Sequence, residues 1–335
     1  MTLTSDPVPT MPRLTIIIPT HAARGFLTAS MESAVRSLQA DDELLIVANG
    51  ASADYLAALG AIVHAPARLI VLAEAGVTHA RNAGLREATG AFVLFLDDDD
   101  LLIDGGVTAL REALHAHPTW IGVAGTVTRF DDAGEYRADS YGAAGELLSP
   151  LRLLRQTITT PGAVLLRAGA VRQLGGFDET TVPVEDFDLW LRMAATAPLA
   201  GVSTPVLRYR VHPAAMSANV PRMAARALAI FRWHARAYAA RRFAAALRRA
   251  AAQTAWYYRG PLRGTMRVHL RTGNWRGLWV SLMLLAQFRR LVATYRVRAA
   301  IGRLLGRARD EPVGETDALA FPYLVHSTSN DAVAE

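Results

Sequence analysis

The sequence predicts an α/β protein with a doubly wound, mostly parallel sheet, followed by an arginine-rich helical extension at the C-terminus. Three observations lead to this prediction. Short apolar runs, of the kind that form strands buried on both faces, alternate with segments of helical character in the first part of the chain. The fourth of these runs leads directly into four aspartates at residues 97–100. Beyond residue 220, the 335-residue chain becomes rich in alanine, leucine and arginine, which favours helices.

The elements of the predicted α/β domain follow one another in a regular order. The first half comprises strands at 13–20, 42–50, 69–73 and 91–100, with helices at 26–39, 54–60, 77–89 and after 106. The second half comprises strands at 121–130, 161–168 and 205–211, a turn-rich loop at 131–146 and a helix at 186–196. In such a sheet, ligands bind beyond the carboxyl ends of the parallel strands.

Composition divides the chain into four predicted regions. We expect a flexible N-terminus at 1–12, an α/β domain at 13–220, a basic helical extension at 221–309 and an acidic, flexible tail at 310–335. Isolated glycine and proline residues predict that the helices of the extension break near residues 260 and 273.

The residue types that are missing exclude several chemistries. There is no cysteine, which excludes disulfides, thiolate zinc sites and a cysteine nucleophile. Lysine is also absent, so a phosphate-binding loop of the Walker type and Schiff-base catalysis have no lysine to use. No G-x-G-x-x-G occurs, which leaves a dehydrogenase unsupported. The first residues lack the apolar core of a secretory signal, so we expect a cytoplasmic protein.

Charge is distributed unevenly along the chain, although the formal net charge is only +6. Residues 221–309 contain 20 arginines and no acidic residue, whereas the regions before and after them are net negative. A solvated helix surface ordinarily mixes both signs, so this block indicates a surface that meets an anionic partner. The alternative is a drift in composition toward alanine and arginine that has no function.

Tryptophan and leucine side chains recur at helical spacing inside this basic block. Trp275, Trp279, Leu282, Leu285 and Leu291 fit one stripe, and arginines flank it. The longest apolar run there is too short to span a bilayer, but it suits a helix lying on an anionic membrane surface, at the inner face. Packing on the chain's own domain explains the stripe equally well.

Other partners for the basic block stay open at this point. The block suits a homodimer contact, a lipid-phosphate acceptor, or a clasp on the acidic parts of the same chain. Nucleic acid is disfavoured, because the block contains no recognisable nucleic-acid-binding motif and because such a partner leaves the aspartates at 97–100 unexplained.

The four consecutive aspartates are the strongest chemical feature of the sequence. Adjacent carboxylates at a strand end repel one another, and partial burial increases that cost. A divalent cation relieves the repulsion, and oxygen ligands suit Mg²⁺ or Mn²⁺, which take further ligands from substrate phosphates. An exposed acidic turn that caps the following helix is the alternative. A phosphotransferase of the haloacid dehalogenase kind is disfavoured, because Leu101 stands where its motif requires Thr or Val.

Four segments of the sequence occur in a specific order. They are IIIPTHAAR at 16–24, HARNAGLREATG leading to FLDDDD at 79–100, LGGFDETTVPVEDFDLWLRMA at 174–194 and RYRVHPAAMS at 208–217. Together they resemble glycosyltransferase family 2, in which an ARN-x-G helix leads into a strand that ends in a DxD motif. The resemblance covers residues 13–217 and does not extend to 221–335. It implies a catalytic domain of the GT-A fold over the predicted α/β domain at 13–220.

The resemblance implies a nucleotide-sugar donor site at the carboxyl ends of the first strands. Pro19 and Thr20 would line the pocket of the nucleotide base. Arg81 would lie near the base or the diphosphate. Asp97 and Asp98 would belong to the donor site, with Asp97 near the ribose.

The same resemblance implies a metal site and a catalytic acid pair. Asp99 would be the direct ligand of Mn²⁺ or Mg²⁺, and His212 would approach the metal or the diphosphate. Within the pair Glu185 and Asp186, the latter would be the catalytic base. Apart from the resemblance, both acids would also suit the start of an ordinary helix.

The sequence departs from the family pattern after the second strand. The family usually has Asp-Asp or Asp-Asn there, whereas this chain has Ala48 and Asn49. Asn49 can still bond a base edge, but its donors and acceptors differ from those of a carboxylate, which puts uridine specificity in question. The Gln-x-x-Arg-Trp motif of processive members is also absent, so the resemblance implies the addition of one or a few sugars.

These observations lead to one expected function and one alternative. We expect a metal-dependent, inverting glycosyltransferase that moves a sugar from a nucleotide-diphosphate donor, with a UDP-sugar favoured, to a hydroxyl group. The acceptor would be a saccharide or a lipid-linked molecule, as in the synthesis of a cell-surface polysaccharide or glycolipid. The alternative is a non-catalytic protein that binds nucleotides or polyanions on a transferase-like scaffold.

Overall fold

The computed structural model describes residues 11–22, 25–139, 145–155, 160–238 and 243–304. The predicted flexible ends at 1–12 and 310–335 therefore lie almost wholly outside the described residues. The strands are β1 (Leu14–Thr20), β2 (Glu43–Asn49), β3 (Ala67–Leu72), β4 (Phe92–Phe95), β5 (Leu101–Leu102), β6 (Gly122–Asp131), β7 (Gly134–Asp139), β8 (Val164–Arg167) and β9 (Leu199–Arg210). The helices are α1 (Leu27–Arg36), α2 (Ala53–Ile62), α3 (Val77–Glu87), α4 (Gly106–Ala116), α5 (Pro150–Arg155), α6 (Ala168–Gln173), α7 (Glu185–Ala194), α8 (Val220–Ala237), α9 (Ala244–Thr272) and α10 (Trp275–Leu304).

The contacts divide the chain into two compact units. The first unit, which we call the sheet unit, comprises residues 1–146, 160–172 and 200–211. The second, which we call the helical unit, comprises residues 147–159, 173–199 and 212–335. This division groups α7 with the arginine-rich helices, although the predicted boundary at 220 separates them. The boundaries predicted from composition remain a prediction.

The sheet unit contains one mixed sheet in the order β3-β2-β1-β4-β8-β6-β9-β5, with β7 paired to β6. β3, β2, β1 and β4 are parallel to one another, whereas β8 is antiparallel to β4 and to β6. Strands that alternate with helices produce this parallel half, as the apolar runs of the sequence predict. The predicted α/β class is therefore confirmed.

The core of the sheet unit lies along its central strands. All seven residues of β1 and all four of β4 are buried, and both strands are mostly apolar, as strands covered on both faces require. α3 packs closely on β1 because it has a glycine at the contact. A Cβ atom added at Gly84 would lie 2.5 Å from the side chain of Ile17, so a larger residue would push the helix away from the strand.

The segment at 131–146, predicted as a loop, instead contains a strand. β7 begins at Gly134 and pairs with β6 in an antiparallel hairpin. The turn is short because the Asp131 carboxylate accepts a hydrogen bond from the backbone N–H of Ala133 at 2.8 Å, and Gly134 takes a φ of +122°. The turn residues were identified correctly, but the prediction extended them over the strand that follows.

The break predicted near residue 260 is also wrong, because α9 continues through Pro261. Leu262 and Tyr258 are buried on the side of α9 that packs against α10, and this packing maintains the helix despite the missing N–H of proline. The predicted break near residue 273 is confirmed. There Gly273 ends α9 in the left-handed conformation with a φ of +67°, and α10 begins two residues later.

The helical unit is built around this pair of long helices. α9 and α10 pack against each other along their lengths and form an antiparallel hairpin, and α5 and α8 also pack on α9. The seam of α10 consists of buried residues at intervals of three and four, namely Ser281, Leu284, Phe288, Leu291 and Tyr295. Among the described residues, no helix is long and apolar enough to cross a membrane.

A buried ion pair connects α4 with the chain that enters β1 and β2. Arg111 pairs with Asp42, and both side chains are almost completely buried, at 2% and 1% exposed. Arg111 also donates to the backbone carbonyl of Pro12 at 2.9 Å, and Asp42 accepts from the N–H of Leu14 at 2.8 Å. The pair therefore fixes the start of β1, which precedes the candidate site.

We predict that Arg111→Met lowers the free energy of unfolding by about 3–5 kcal/mol, because the Asp42 carboxylate stays buried without its partner. Arg36→Met is the matched control. Arg36 pairs with Asp104 at the surface, where the side chains are 55% and 75% exposed, so its loss costs less than about 1 kcal/mol. Urea denaturation measures both values, and equal effects of the two substitutions would contradict the assignment.

Candidate active site

The four aspartates form a turn directly after β4, which we call the acidic turn (residues 97–100). The register pairs Ile17 of β1 with Phe95 of β4, and the N–H of Leu96 donates to the carbonyl of Ile17 at 2.9 Å. The N–H of Asp100 then donates to the carbonyl of Asp97 at 3.1 Å, which closes the turn. Because β1 and β4 are parallel, the end of β1 lies beside this turn.

The end of β1 contacts the acidic turn through a side chain that the resemblance assigned to the base pocket. The Thr20 hydroxyl donates to an Asp98 carboxylate oxygen at 2.6 Å. Since that hydroxyl has one hydrogen, it accepts from the Tyr55 hydroxyl of α2, which lies 2.6 Å away. Thr20 follows Ile17 by three positions and Asp98 follows Phe95 by three, so the strand register itself produces this contact.

Arg81 of α3 reaches the same turn from inside the protein. Its Nη2 lies 2.5 Å from Oδ1 of Asp97, and the arginine side chain is only 3% exposed whereas the aspartate is 28% exposed. A buried guanidinium that faces a partly exposed carboxylate lowers the local negative charge at the rim of the site. The structure thus brings Arg81 and Asp97 together, and the contact of either with a nucleotide remains a prediction.

Asp100 is the one fully buried member of the acidic turn. One carboxylate oxygen accepts from the N–H of Arg210 at 2.8 Å, while Oδ2 is buried without a hydrogen-bond partner among the described residues. Burial raises the pKa of Asp100 well above its ordinary value, and the charges of Asp99 and Asp97 raise it further. Burial and charge repulsion therefore destabilise the ionised form of Asp100, and contacts within the protein offset only part of this effect.

Arg210, at the end of β9, holds the acidic turn from the opposite strand. Its Nε donates to the carbonyl of Asp99 at 3.0 Å. Its guanidinium lies over the rings of Phe26 and Phe130, with 4.4 Å from the guanidinium carbon to each ring centroid. The two rings fix the arginine in place, so the backbone of the turn has a rigid partner.

Asn49 is buried and uses its side-chain amide on the protein's own backbone. Its NH₂ group donates to the carbonyl of Thr20 at 2.8 Å, and its side-chain oxygen accepts from the N–H of Gly76 at 2.8 Å. These bonds join the ends of β1 and β2 to the start of α3. A contact of Asn49 with a nucleotide base remains a prediction, as does the role of Pro19.

The acidic turn suits a cation that takes most of its ligands from elsewhere. Among the described residues, no group of three or more acidic or histidine side chains could hold a metal ion. Asp97 and Asp98 are engaged by Arg81 and Thr20, and Asp100 is buried. One or two carboxylates are nevertheless enough for Mg²⁺ or Mn²⁺ when phosphate oxygens and waters complete the shell. The residues therefore fit a metal that arrives with a diphosphate.

The predicted acid pair begins α7 in the helical unit. Glu185 is buried, and Asp186 is partly exposed and accepts a hydrogen bond from the N–H of Phe187 at 2.7 Å. Acidic side chains are favoured at a helix N-terminus, where they meet the positive end of the helix dipole. Of the two acids, Asp186 is the more accessible to solvent. His212 also lies in the helical unit and is half-buried, and its metal role remains a prediction.

Two residues after Asp186, Asp188 anchors the helix through a buried network. Its two oxygens meet Nε2 of His234 on α8 at 2.8 Å and Nε of Arg192 at 2.7 Å. Burial alone would raise the pKa of Asp188, but the hydrogen bond from His234 and the charge of Arg192 outweigh it, so the pKa lies below its ordinary value.

Arg192 extends this network to the loop that precedes α7. Its two terminal nitrogens donate to the carbonyls of Leu174 and Gly176 at 2.9 and 2.8 Å. Gly175 and Gly176 both have positive φ, at +79° and +74°, a conformation that glycine adopts without strain. The Gly-Gly pair and the arginine of the family-like segment thus have one structural function, which is to fix the start of α7.

Several residues of the site were not identified from the sequence. Tyr55 gave no signal, because a tyrosine in a short helix has no motif. Arg210, Asp188 and Arg192 lie inside the segments that carry the family resemblance, so a signal was present, but only their contacts reveal what they do. His234 lies in the arginine-rich extension, far along the chain from its partner on α7.

We predict that Asp188→Asn lowers the free energy of unfolding at pH 7 by about 3 kcal/mol, because Arg192 loses its buried counter-charge. The folded-state pKa lies below the unfolded value, so the stabilisation is complete above the unfolded value of about 4 and is lost as the pH falls through the folded value. The difference in the free energy of unfolding between Asp188→Asn and wild type is therefore smaller at pH 3 than at pH 7. Urea denaturation at both pH values measures this difference. Asp104→Asn, at an exposed ion pair, is the control and shows no such difference.

Comparison with solved structures identifies the fold. S. aureus TarS, residues 1–349 in complex with UDP-GlcNAc, has a TM-score of 0.54 at 13% identity, with 85% of this chain and 92% of that chain covered. The mannosyltransferase PcManGT from Pyrobaculum calidifontis, in complex with GDP-Man and Mn2+, has a TM-score of 0.51 at 19% identity, with 89% of each chain covered. A longer TarS structure has a TM-score of 0.50 at 16% identity, covering 65% of this chain and 39% of that one.

The chain thus spans well under half the length of that longer TarS structure. Among curated proteins, none matches its sequence. The family model described as Glycosyl transferase family 2 matches residues 15–175, a range that contains β1, the acidic turn, Arg81 and Asn49. The predicted GT-A fold is confirmed by these similarities, and the family match favours an enzyme over a non-catalytic binding protein. The protein is therefore a glycosyltransferase in which residues 15–175, a little under half of the chain, match the model of glycosyltransferase family 2.

Proposed function

We propose that the protein is a metal-dependent, inverting glycosyltransferase that moves a sugar from a nucleotide-diphosphate donor to a hydroxyl acceptor. The observation that supports this proposal best is the acidic turn. It combines partly exposed carboxylates, a buried arginine behind Asp97 and a carboxylate at Asp100 whose burial is costly. A site of this kind is favourable for a ligand that brings a cation and phosphates together.

The donor half of the site is assigned to the sheet unit. We assign Thr20, with Asp98, and Asn49 to the nucleoside side, and Arg81 with Asp97 to the diphosphate and ribose side. The arginine is held at the turn by its ion pair, so its position does not depend on the donor. Two structurally similar proteins were solved with UDP-GlcNAc and with GDP-Man, which supports a nucleoside diphosphate donor without fixing the base. A UDP-sugar remains our first choice.

Asp99 is the residue that we assign to the metal, with His212 as a second candidate. Mn²⁺ or Mg²⁺, when bound, would stabilise the negative charge that develops on the departing diphosphate. The structurally similar mannosyltransferase was solved with Mn2+. In this chain Nε of Arg210 donates to the backbone carbonyl of Asp99 at 3.0 Å, which fixes this residue within the acidic turn.

Asp186 is the residue that we assign as catalytic base, with Glu185 beside it. The acceptor oxygen bonds to the anomeric carbon as the bond from that carbon to the diphosphate oxygen breaks. The hydroxyl proton passes to the Asp186 carboxylate, and the electron pair of the broken bond leaves with the diphosphate. One displacement of this kind inverts the anomeric configuration. The Asp188 network fixes α7, and hence the position of this carboxylate.

We infer that one or a few sugars are added to a saccharide or lipid-linked acceptor. The processive motif Gln-x-x-Arg-Trp is absent from the sequence. The choice of sugar depends on a few hydrogen bonds to ring hydroxyls. The family match fixes the class of enzyme, and the donor and acceptor are the finer parts of this proposal.

We predict that one nucleoside diphosphate binds in a metal-dependent manner and that Asp99→Ala abolishes this dependence. Isothermal titration calorimetry with UDP, GDP and their sugar derivatives, each with and without Mn²⁺, measures the effect. Loss of a residue that only orients a metal ligand weakens metal affinity about 10- to 100-fold, and loss of the proposed ligand itself weakens it at least as much. Asp132→Ala, at the exposed turn after β6, is the control and binds like wild type. Binding of every nucleotide without any response to Mn²⁺ would contradict metal dependence.

We also predict that Asp186→Asn reduces kcat by about 100- to 10,000-fold, because the hydroxyl loses its proton acceptor. The affinity for the donor stays unchanged, since the donor half of the site lies on other residues. Glu179→Gln, an exposed acid in the segment before α7, is the control and keeps its activity. NMR of the newly formed linkage tests inversion, and a retained anomeric configuration in the product would rule out the single displacement.

A further inference from the structure

α10 has apolar side chains on two opposite faces. Its inner face is the buried seam that begins at Ser281 and ends at Tyr295. Its outer face repeats at intervals of four, three and seven residues and comprises exposed Trp275, Trp279, Leu282, Ala286, Ala293, Val297 and Ile301. At about 3.6 residues per turn, the two series lie on opposite sides of the helix. The stripe expected from the sequence is therefore two different surfaces, since Leu291 belongs to the seam and Trp275, Trp279 and Leu282 do not.

The outer face is large and fully accessible. Trp275 and Trp279 are 69% and 62% exposed, and Leu282, Val297 and Ile301 are each close to half exposed. A helix of 30 residues extends about 45 Å, and the outer face runs over most of that length. Arg289 and Arg290 lie between Ala286 and Ala293. An exposed apolar face of this length marks an interaction site. Two exposed tryptophans at one end are typical of a surface that meets the interface of a bilayer.

Exposed arginines flank the outer face on α10 and are also frequent on α9. On α10, Arg276, Arg289, Arg290 and Arg296 are exposed next to it. On α9, the other helix of the hairpin, exposed arginines recur every four residues at Arg259, Arg263, Arg267 and Arg271, which forms one basic stripe. No acidic residue occurs between 221 and 309. Apolar side chains with a purely cationic surround match a surface that is apolar inside and anionic outside.

We propose that the outer face of α10 docks this glycosyltransferase on an anionic phospholipid surface, with α10 lying along the membrane surface. Trp275, Trp279 and Leu282 enter the headgroup region, and the arginines contact lipid phosphates. The hairpin does not span the bilayer, in agreement with the finding that no described helix is suitable for that. The proposal goes beyond the transfer reaction and does not depend on the donor or the metal.

Charge disfavours the two other occupants of this face. A second copy in a two-fold contact would place the same face against itself. That contact would bring Arg276, Arg289, Arg290 and Arg296 toward their equivalents without one acidic residue to compensate. The acidic tail beyond residue 309 holds six acidic residues, which do not match the 20 arginines of residues 221–309. An anionic bilayer supplies as many negative charges as the surface can contact.

Sedimentation of the full-length protein with lipid vesicles tests the proposal. We expect retention on phosphatidylcholine vesicles that contain about one third phosphatidylglycerol, no retention on phosphatidylcholine alone, and weaker retention at high salt. The double variant Trp275→Ser, Trp279→Ser binds the anionic vesicles at least about tenfold less tightly, since both side chains leave the interface. The pair Arg289→Gln, Arg290→Gln also weakens binding and reduces its dependence on salt.

Trp233→Ser is the matched control, because Trp233 is an exposed tryptophan of α8 outside the hairpin. All these side chains are exposed, so we expect thermal unfolding like that of wild type. Wild-type protein that stays in solution with anionic vesicles at low salt would overturn the proposal. So would a Trp275→Ser, Trp279→Ser variant that binds as wild type does. A wild-type dimer in analytical ultracentrifugation that the same double variant dissociates would assign the face to a second copy instead.

Discussion

The repulsion among the four carboxylates of residues 97–100 is the constraint on which the donor half of the site depends. The protein offsets part of it with the Arg81 ion pair to Asp97, the Thr20 hydroxyl on Asp98 and the backbone N–H of Arg210 on the Asp100 carboxylate. The side chain of Arg210 also holds the backbone carbonyl of Asp99. The rest appears as the raised pKa of Asp100. Most of these carboxylates already have contacts within the protein, so the acidic turn supplies only some of the ligands that a cation needs. A cation that brings its own phosphate ligands would complete the site.

The helical unit also contains a buried carboxylate, and there side chains of the protein itself stabilise its charged form. There one carboxylate, Asp188, is buried between His234 and Arg192, and its pKa is lowered because both partners favour the charged form. Arg192 holds the Gly-Gly loop, so α7 and the partly exposed Asp186 at its start have a fixed position. His234 belongs to α8, within the segment that composition alone assigned to a separate extension. The arginine-rich helices therefore support the proposed base as well as presenting the outer face of α10.

Features of the fold and the site that depend on neighbouring residues could be predicted from the sequence. Features that depend on contacts between distant segments could not. The buried strands β1, β2 and β4 were predictable, because short apolar runs that alternate with helical segments are typical of strands buried on both faces of a parallel sheet. The position of the aspartates after β4 was predictable for the same reason. β7 was missed because its turn residues hid a short strand, and the continuity of α9 through Pro261 depends on α10, which no local pattern encodes. The contact of Thr20 with Asp98 and that of Asp188 with His234 depend on strand register and helix packing, so spacing alone could not reveal them.

The central claim is that the acidic turn is completed by a cation and a diphosphate together, and calorimetric titration of Mn²⁺ into wild-type protein tests it most directly. The account predicts weak binding of Mn²⁺ alone and binding at least about tenfold tighter in the presence of a saturating nucleoside diphosphate, with the same coupling when the order is reversed. Equal affinity for Mn²⁺ with and without every nucleoside diphosphate tested would contradict the account, because the turn would then hold a metal, or fail to hold one, without any contribution from a donor.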